Sequence, residues 1–180
     1  PDLVTANHNS SFVGVLIGDG SGGFPAVQTV AVGESVREVA IGDVNGDGSP
    51  DLLANTSDPS LPGKIRALLS DGSGGYAVMA GADTGYSSRA FAVGDLNGEG
   101  ILDAAATAVS PGVAVLLGDG TGLFVAAPTI PGVLLEAIAI GDLNGDGNPD
   151  LVTVSASGGA VSTVFGDGAG GFSAPTTWFS

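Results

Sequence analysis

Val39-Ala40-Ile41-Gly42-Asp43-Val44-Asn45-Gly46-Asp47-Gly48-Ser49-Pro50-Asp51-Leu52-Leu53 decides how this chain reads. An apolar run enters a loop of oxygen-bearing side chains and glycines, and a second apolar run leaves it. The stretch returns at residues 91–105 and 138–152, with Asp95 52 residues after Asp43 and Asp142 a further 47 on. A second motif, Asp-Gly-x-Gly-x-aromatic, alternates with it at residues 19–24, 71–76, 119–124 and 167–172. A fixed period of about 50 residues is the signature of a repeat architecture.

Between the motifs lie short apolar segments bounded by Gly, Pro, Asp or Ser, which read as strands. In the first complete unit these are residues 35–41, 51–54, 64–69 and 76–80. Equivalent third strands fall at 13–17, 113–117 and 160–165, each running into an Asp-Gly turn. Residues 133–140 have the look of a helical turn but are too short and too regularly placed for one. Four strands per unit of this length match a blade of a β-propeller. A β-solenoid has shorter repeats, and an immunoglobulin-like sandwich would not produce identical loops. The expected fold is therefore all-β, with four-stranded antiparallel blades in one propeller or propeller segment over residues 1–180. The repeats are 1–32 (partial), 33–83, 84–131 and 132–180.

Composition agrees. With 32 Gly and 10 Pro among 180 residues, long helices are disfavoured, since each interior Gly costs a helix about 1 kcal/mol. A hydrophobic content of 43% still provides a core. Asp2-Leu3 aligns with Asp51-Leu52, so the first unit starts on a second strand. That register predicts a piece of a longer propeller, or a ring completed by another chain.

Nineteen acidic residues against four basic ones (Arg37, Lys64, Arg66, Arg89) give a formal charge of −15. Such an excess argues against nucleic acid and anionic membranes, which recruit clustered Lys and Arg. No apolar run approaches the ~20 residues of a membrane span, so membrane insertion is not expected. The absence of Cys removes disulfides and thiolate metal sites. Thirteen of the 15 Asp fall at repeat positions, so the acidity belongs to the motifs.

Oxygens at positions 1, 3 and 5 of a tightly curled loop converge on one point, as a hard cation requires. Calcium takes six to eight oxygens at ~2.3–2.6 Å. In the first loop the expected ligands are Asp43, Asn45, Asp47, the Ser49 carbonyl at position 7 and Asp51 at position 9. The second loop offers Asp95, Asn97, Glu99, the Ile101 carbonyl and Asp103. The third offers Asp142, Asn144, Asp146, the Asn148 carbonyl and Asp150. An all-oxygen set with one His in the chain disfavours zinc and copper. An EF-hand would place Glu at position 12, where Ala54, Ala106 and Thr153 stand. About three Ca²⁺ are expected, with the middle loop less well matched because Glu99 is one methylene longer than Asp.

These loops resemble the FG-GAP/VCBS repeat family, which includes the β-propellers of integrin α-subunits and many bacterial secreted proteins. The resemblance runs along essentially the whole chain. It implies calcium loops between the first and second strands of each blade, and a secreted or cell-surface, bacterial protein. Its partner would be a protein or a glycan, with self-association or completion by another chain as a further role. Glu99 and the truncated first unit, where Asp2 lacks the rest of its cage, depart from the pattern. Some polysaccharide lyases and lipases carry similar propellers. Here no nucleophile elbow or His pair appears, and a non-catalytic role is expected, with no catalytic residue assigned.

The shorter motif reads as a hairpin turn. Its glycines supply positive φ, its Asp accepts from nearby N–H groups, and its aromatic packs between blades. His8 reads as a surface residue, and Arg37, Arg66 and Arg89 are too dispersed for a phosphate patch. Trp178 and Phe179 fall on an outer strand, where core or edge packing is expected before sugar stacking.

Overall fold

The computed structural model describes residues 2–8, 10–58, 61–86, 88–108, 112–132, 135–156 and 158–178. All regular structure among them is β, in four antiparallel sheets that follow one another along the chain. Sheet 1 contains β1 (Leu3–Ala6), β2 (Phe12–Ile17) and β3 (Ala26–Ala31). Sheet 2 contains β4 (Val36–Gly42), β5 (Asp51–Thr56), β6 (Pro62–Ser70), β7 (Tyr76–Val78) and β8 (Ala82–Tyr86). Sheet 3 is built from β9 (Phe91–Gly94), β10 (Asp103–Thr107), β11 (Gly112–Gly118), β12 (Phe124–Ala126) and β13 (Ile130–Pro131). Sheet 4 comprises β14 (Leu135–Gly141), β15 (Asp150–Ser155), β16 (Val161–Val164) and β17 (Thr176–Trp178).

Each sheet is a meander of sequence neighbours, but only sheet 4 has four strands. In sheet 2, β6 is long enough to pair β7 near its end and β8 near its start; in sheet 3, β11 does the same with β12 and β13. These fifth strands are a correction to the four-strand expectation. Their sequences, Ala82-Asp83-Thr84-Gly85-Tyr86 and Ile130-Pro131, lack the apolar runs that mark the others.

Alternation along the second and third strands explains how the sheets join. Successive side chains point to opposite faces of a sheet. On β5, Leu52 and Ala54 face sheet 1 and Leu53 faces sheet 3; on β10, Ala104 and Ala106 face sheet 2 and Ala105 faces sheet 4. The result is three apolar clusters, one for each neighbouring pair. Val13, Val15 and Val30 meet Leu52 and Leu68; Leu53, Ile65 and Ala67 meet Ala104 and Leu116; Val113 and Val115 meet Leu151 and Val164. Strands β5 and β10 are buried at every position, and their centres, Leu52-Leu53-Ala54 and Ala104-Ala105-Ala106, are unbroken apolar runs, as expected of strands covered on both sides. Among the described residues no apolar cluster joins sheet 4 to sheet 1.

Candidate metal centre

The three long loops connect β4 to β5, β9 to β10 and β14 to β15, at the same end of consecutive sheets. They share one conformation. Glycines at positions 4 and 6 have φ of 73° and 83° in the first loop, 78° and 84° in the second, and 79° and 87° in the third. That backbone is open to Gly and strained for other residues, so the Asn-Gly-acid-Gly pattern is a conformational requirement.

The curl forms around the first Asp. Asp43 Oδ1 accepts from Gly46 and Asp47 N–H, and Oδ2 accepts from Gly48 N–H at 2.9 Å. Asp95 and Asp142 repeat this set. At position 3, Asn45 Oδ1 accepts from Asp47 N–H while its Nδ2 donates to Asp47 Oδ2. Asn97 and Asn144 do the same with Glu99 and Asp146.

Position 5 separates the loops. Asp47 and Asp146 each accept from the position 7 N–H, of Ser49 at 2.7 Å and of Asn148 at 2.8 Å. Those bonds, with the amide of the position 3 Asn, hold both carboxyls below their ordinary range. Glu99 accepts from Asn97 but not from Ile101, because its extra methylene carries the carboxylate past that N–H.

The position 9 Asp does something the sequence reading did not assign. Asp51 is fully buried; its Oδ2 accepts from Val44 N–H at 3.0 Å and its Oδ1 from Ser70 N–H at 2.8 Å. Asp103 takes Leu96 and Gly118, and Asp150 takes Leu143 and Gly166, in the same way. One carboxylate thus ties the start of the loop to the far end of the third strand. Gly118 and Gly166 permit the close approach: a Cβ there would strike the carbonyl of Leu102 or Pro149. In sheet 1 the matching bond is present too, Gly18 N–H donating to Asp2 Oδ1 at 2.8 Å.

The donor chemistry suits a hard cation: the set is all oxygen, and a carboxylate oxygen that accepts one N–H keeps a second lone pair. The side chains face the loop's own N–H groups, and among the described residues no three Asp, Glu or His side chains converge closely enough to enclose an ion. The charge is uncompensated. Burial, opposed by its N–H bonds and reinforced by the Asp95 and Glu99 charges, pushes the Asp103 carboxyl up. Three of the four basic side chains are engaged elsewhere: Lys64 and Arg66 pair with Glu34, at 3.6 and 2.7 Å, and Arg89 pairs with Glu136.

The short motif forms the turn expected of it. Asp71 Oδ1 accepts from Ser73 N–H and Oγ–H and from Gly75 N–H, while Asp71 N–H donates to the Gly75 carbonyl. Asp19, Asp119 and Asp167 build the same turn. Tyr76, Phe124 and Phe172 pack against the clusters between sheets; Phe24 is in none of these clusters and is 36% exposed.

His8 is exposed in a turn after β1. Trp178 departs from expectation: it lies on the edge strand β17, is 58% exposed, and its indole N–H reaches Thr163 Oγ1 at 3.2 Å. Phe179, Val133, Leu134 and Pro1 lie outside the described residues.

Comparison with known proteins adds three findings. No curated protein matches the chain. Among solved structures, a mutant Tc holotoxin pore of Photorhabdus luminescens aligns over 100% of this chain and 11% of its own, with 17% identity and a TM-score of 0.38. The chain thus spans about a tenth of that protein's length. Residues 1–54 match the model of the FG-GAP-like repeat, so the likeness read from the loops holds over sheet 1, the first complete loop and the start of β5.

Proposed function

We propose that the chain is a calcium-stabilised extracellular binding module, its sheets serving as propeller blades and its loops facing a protein or glycan partner. The observation that carries this reading is the repeated loop: three copies of one curl, each with three carboxylates and no basic side chain bonded to them. Three carboxylates in one nine-residue loop repel one another, and a bound cation would relieve that repulsion. Calcium supplies that charge and a demand for several oxygens. Asp43, Asn45, Asp47, the Ser49 carbonyl and Asp51 would hold it in the first loop, and their equivalents in the second and third. Three Ca²⁺ add six charges and take the formal −15 to −9. The role is non-catalytic, since loop folding accounts for the repeated polar chemistry.

Thermal unfolding in excess EGTA and in millimolar calcium tests the reading. Calcium at a hundredfold excess over Kd stabilises by about 2.7 kcal/mol per site, so the melting temperature rises by many degrees. Equal melting temperatures overturn it.

A further inference from the structure

The short Asp-Gly turn is the repeated motif that the calcium reading leaves without a role, and it lies directly against the long loop. A Cβ built on the glycine after its Asp would fall 3.8 Å from Ser49 Oγ at Gly72, 3.2 Å from Ile101 Cδ1 at Gly120 and 2.4 Å from Asn148 Oδ1 at Gly168. Ser49, Ile101 and Asn148 all stand at position 7 of the long loop in the same sheet as the turn. Exposure shows the same contact: position 7 is partly buried in all three loops, while positions 4 to 6 before it are exposed. Beside the turn, Gly118 and Gly166 lie equally close to position 8. A Cβ there would fall 2.4 Å from the Leu102 carbonyl oxygen and 2.2 Å from that of Pro149.

Position 7 matters twice. Its N–H donates to the position 5 carboxylate, from Ser49 to Asp47 and from Asn148 to Asp146, and its carbonyl is an expected ligand. Positions 3 to 6 carry only Asn, Gly and acidic residues, which offer the loop no apolar anchor of its own. The turn is well held for this task. Asp71 Oδ1 accepts from Ser73 and Gly75 N–H, Asp119 Oδ1 from Thr121 and Leu123, and Asp167 Oδ1 from Ala169 and Gly171. Groups that orient ligands from outside the coordination shell are part of how a metal site works.

We propose that the short turn is the seat of the cation loop. It holds position 7 in place, and Asp71, Asp119 and Asp167 act on the site as positioning residues without touching the ion. A loop ordered at position 7 before the ion arrives loses less conformational freedom on binding, which favours affinity. The identity of the ion rests on the calcium reading; the seating of position 7 does not.

Asp167→Ala and Asp167→Asn, with the same pair at Asp71, test this. The Ala variants remove the acceptor that folds the turn; the Asn variants remove its charge and keep an oxygen acceptor. Both Asp are exposed, and the untouched loop in the same molecule verifies folding. In EGTA, the backbone order parameter of Asn148 N–H is expected at about 0.85 in wild type and Asp167→Asn, and below about 0.6 in Asp167→Ala. A value in Asp167→Ala equal to wild type overturns the proposal, as does a wild type already flexible there. In a calcium titration followed on the amides of Gly48 and Gly147, Asp167→Ala is expected to weaken the third loop by about 10–100-fold and to leave the first unchanged. Asp71→Ala is expected to do the reverse. Unchanged affinity in the Ala variants, or equal weakening by Ala and Asn, which is an effect of charge alone, overturns the proposal. A wild type that binds no calcium overturns the calcium reading, and the order parameters then decide the seat.

Discussion

Each complete repeat makes two acidic turns, and they differ in how many carboxylates they hold and how each is bonded. In the short turn one carboxylate meets several donors: Asp71 has the N–H and O–H of Ser73 and the N–H of Gly75, and these hold its carboxyl below the ordinary 3.8. In the long loop three carboxylates lie within nine residues: N–H and amide donors of the loop hold Asp47 and Asp146 below their ordinary range, while burial, reinforced by neighbouring charges, pushes Asp103 up. The short turn carries one carboxylate and the long loop three, which is what separates a structural turn from a candidate site.

The largest expected effect concerns the one carboxylate that serves both ends of the loop. Asp51→Ala strips two backbone N–H groups, of Val44 and Ser70, of their acceptor in a buried setting. A loss of about 2–5 kcal/mol is expected, measured as a lowered urea midpoint in EGTA, where no cation contributes. An Asp51→Ala chain as stable as wild type in EGTA would break the distinction between brace and ligand.

Next in size is the calcium-dependent share. Asp43→Ala and Asp142→Ala should each reduce the stabilisation by calcium by up to about 2.7 kcal/mol at a hundredfold excess over Kd. Asp95→Ala should reduce it less, because Glu99 lacks the bond that its counterparts make at position 7. Calorimetric titration of the three variants checks the ranking. The converse change, Glu99→Asp, should restore a bond to Ile101 N–H and gain about 1 kcal/mol, read from the same urea curves.

The smallest effect is a change of slope. A carboxyl whose folded pKa lies below its unfolded value stabilises the fold above that unfolded value, and the contribution fades as pH falls through the folded one. For Asp71 the fading lies below pH 3.8. Asp71→Asn keeps an oxygen acceptor but cannot titrate, so its stability should fall less steeply on that acid limb. Urea midpoints collected along a pH series would show parallel curves if the turn owed nothing to ionisation.

Much of this was legible in the sequence, and the reasons are local. Strands β4, β5 and β6 were read within two residues at each end, since Gly, Pro and Asp punctuate them. The curl around Asp43 was readable because every group in it lies within nine residues. The brace was not: Ser70, which donates to Asp51, is 19 residues away, and only the folded meander brings it there. A carboxylate at ligand spacing conceals a second role. Strands β8 and β13 escaped because Ala82-Asp83, Gly85-Tyr86 and Ile130-Pro131 pair through their backbones, without an apolar pattern. The exposure of Trp178 was hidden because it depends on β17 being an edge strand, which the folded sheet decides.

The meander connectivity has a kinetic consequence. Along the main path of every sheet, hydrogen-bonded neighbours are consecutive strands, so pairing never waits for a distant part of the chain. Low contact order speeds folding, and repeats coupled only to their neighbours behave as a one-dimensional cooperative array. Nucleation can then begin in any sheet and spread. Amide hydrogen exchange should leave protons longest on β5 and β10, which are covered on both faces.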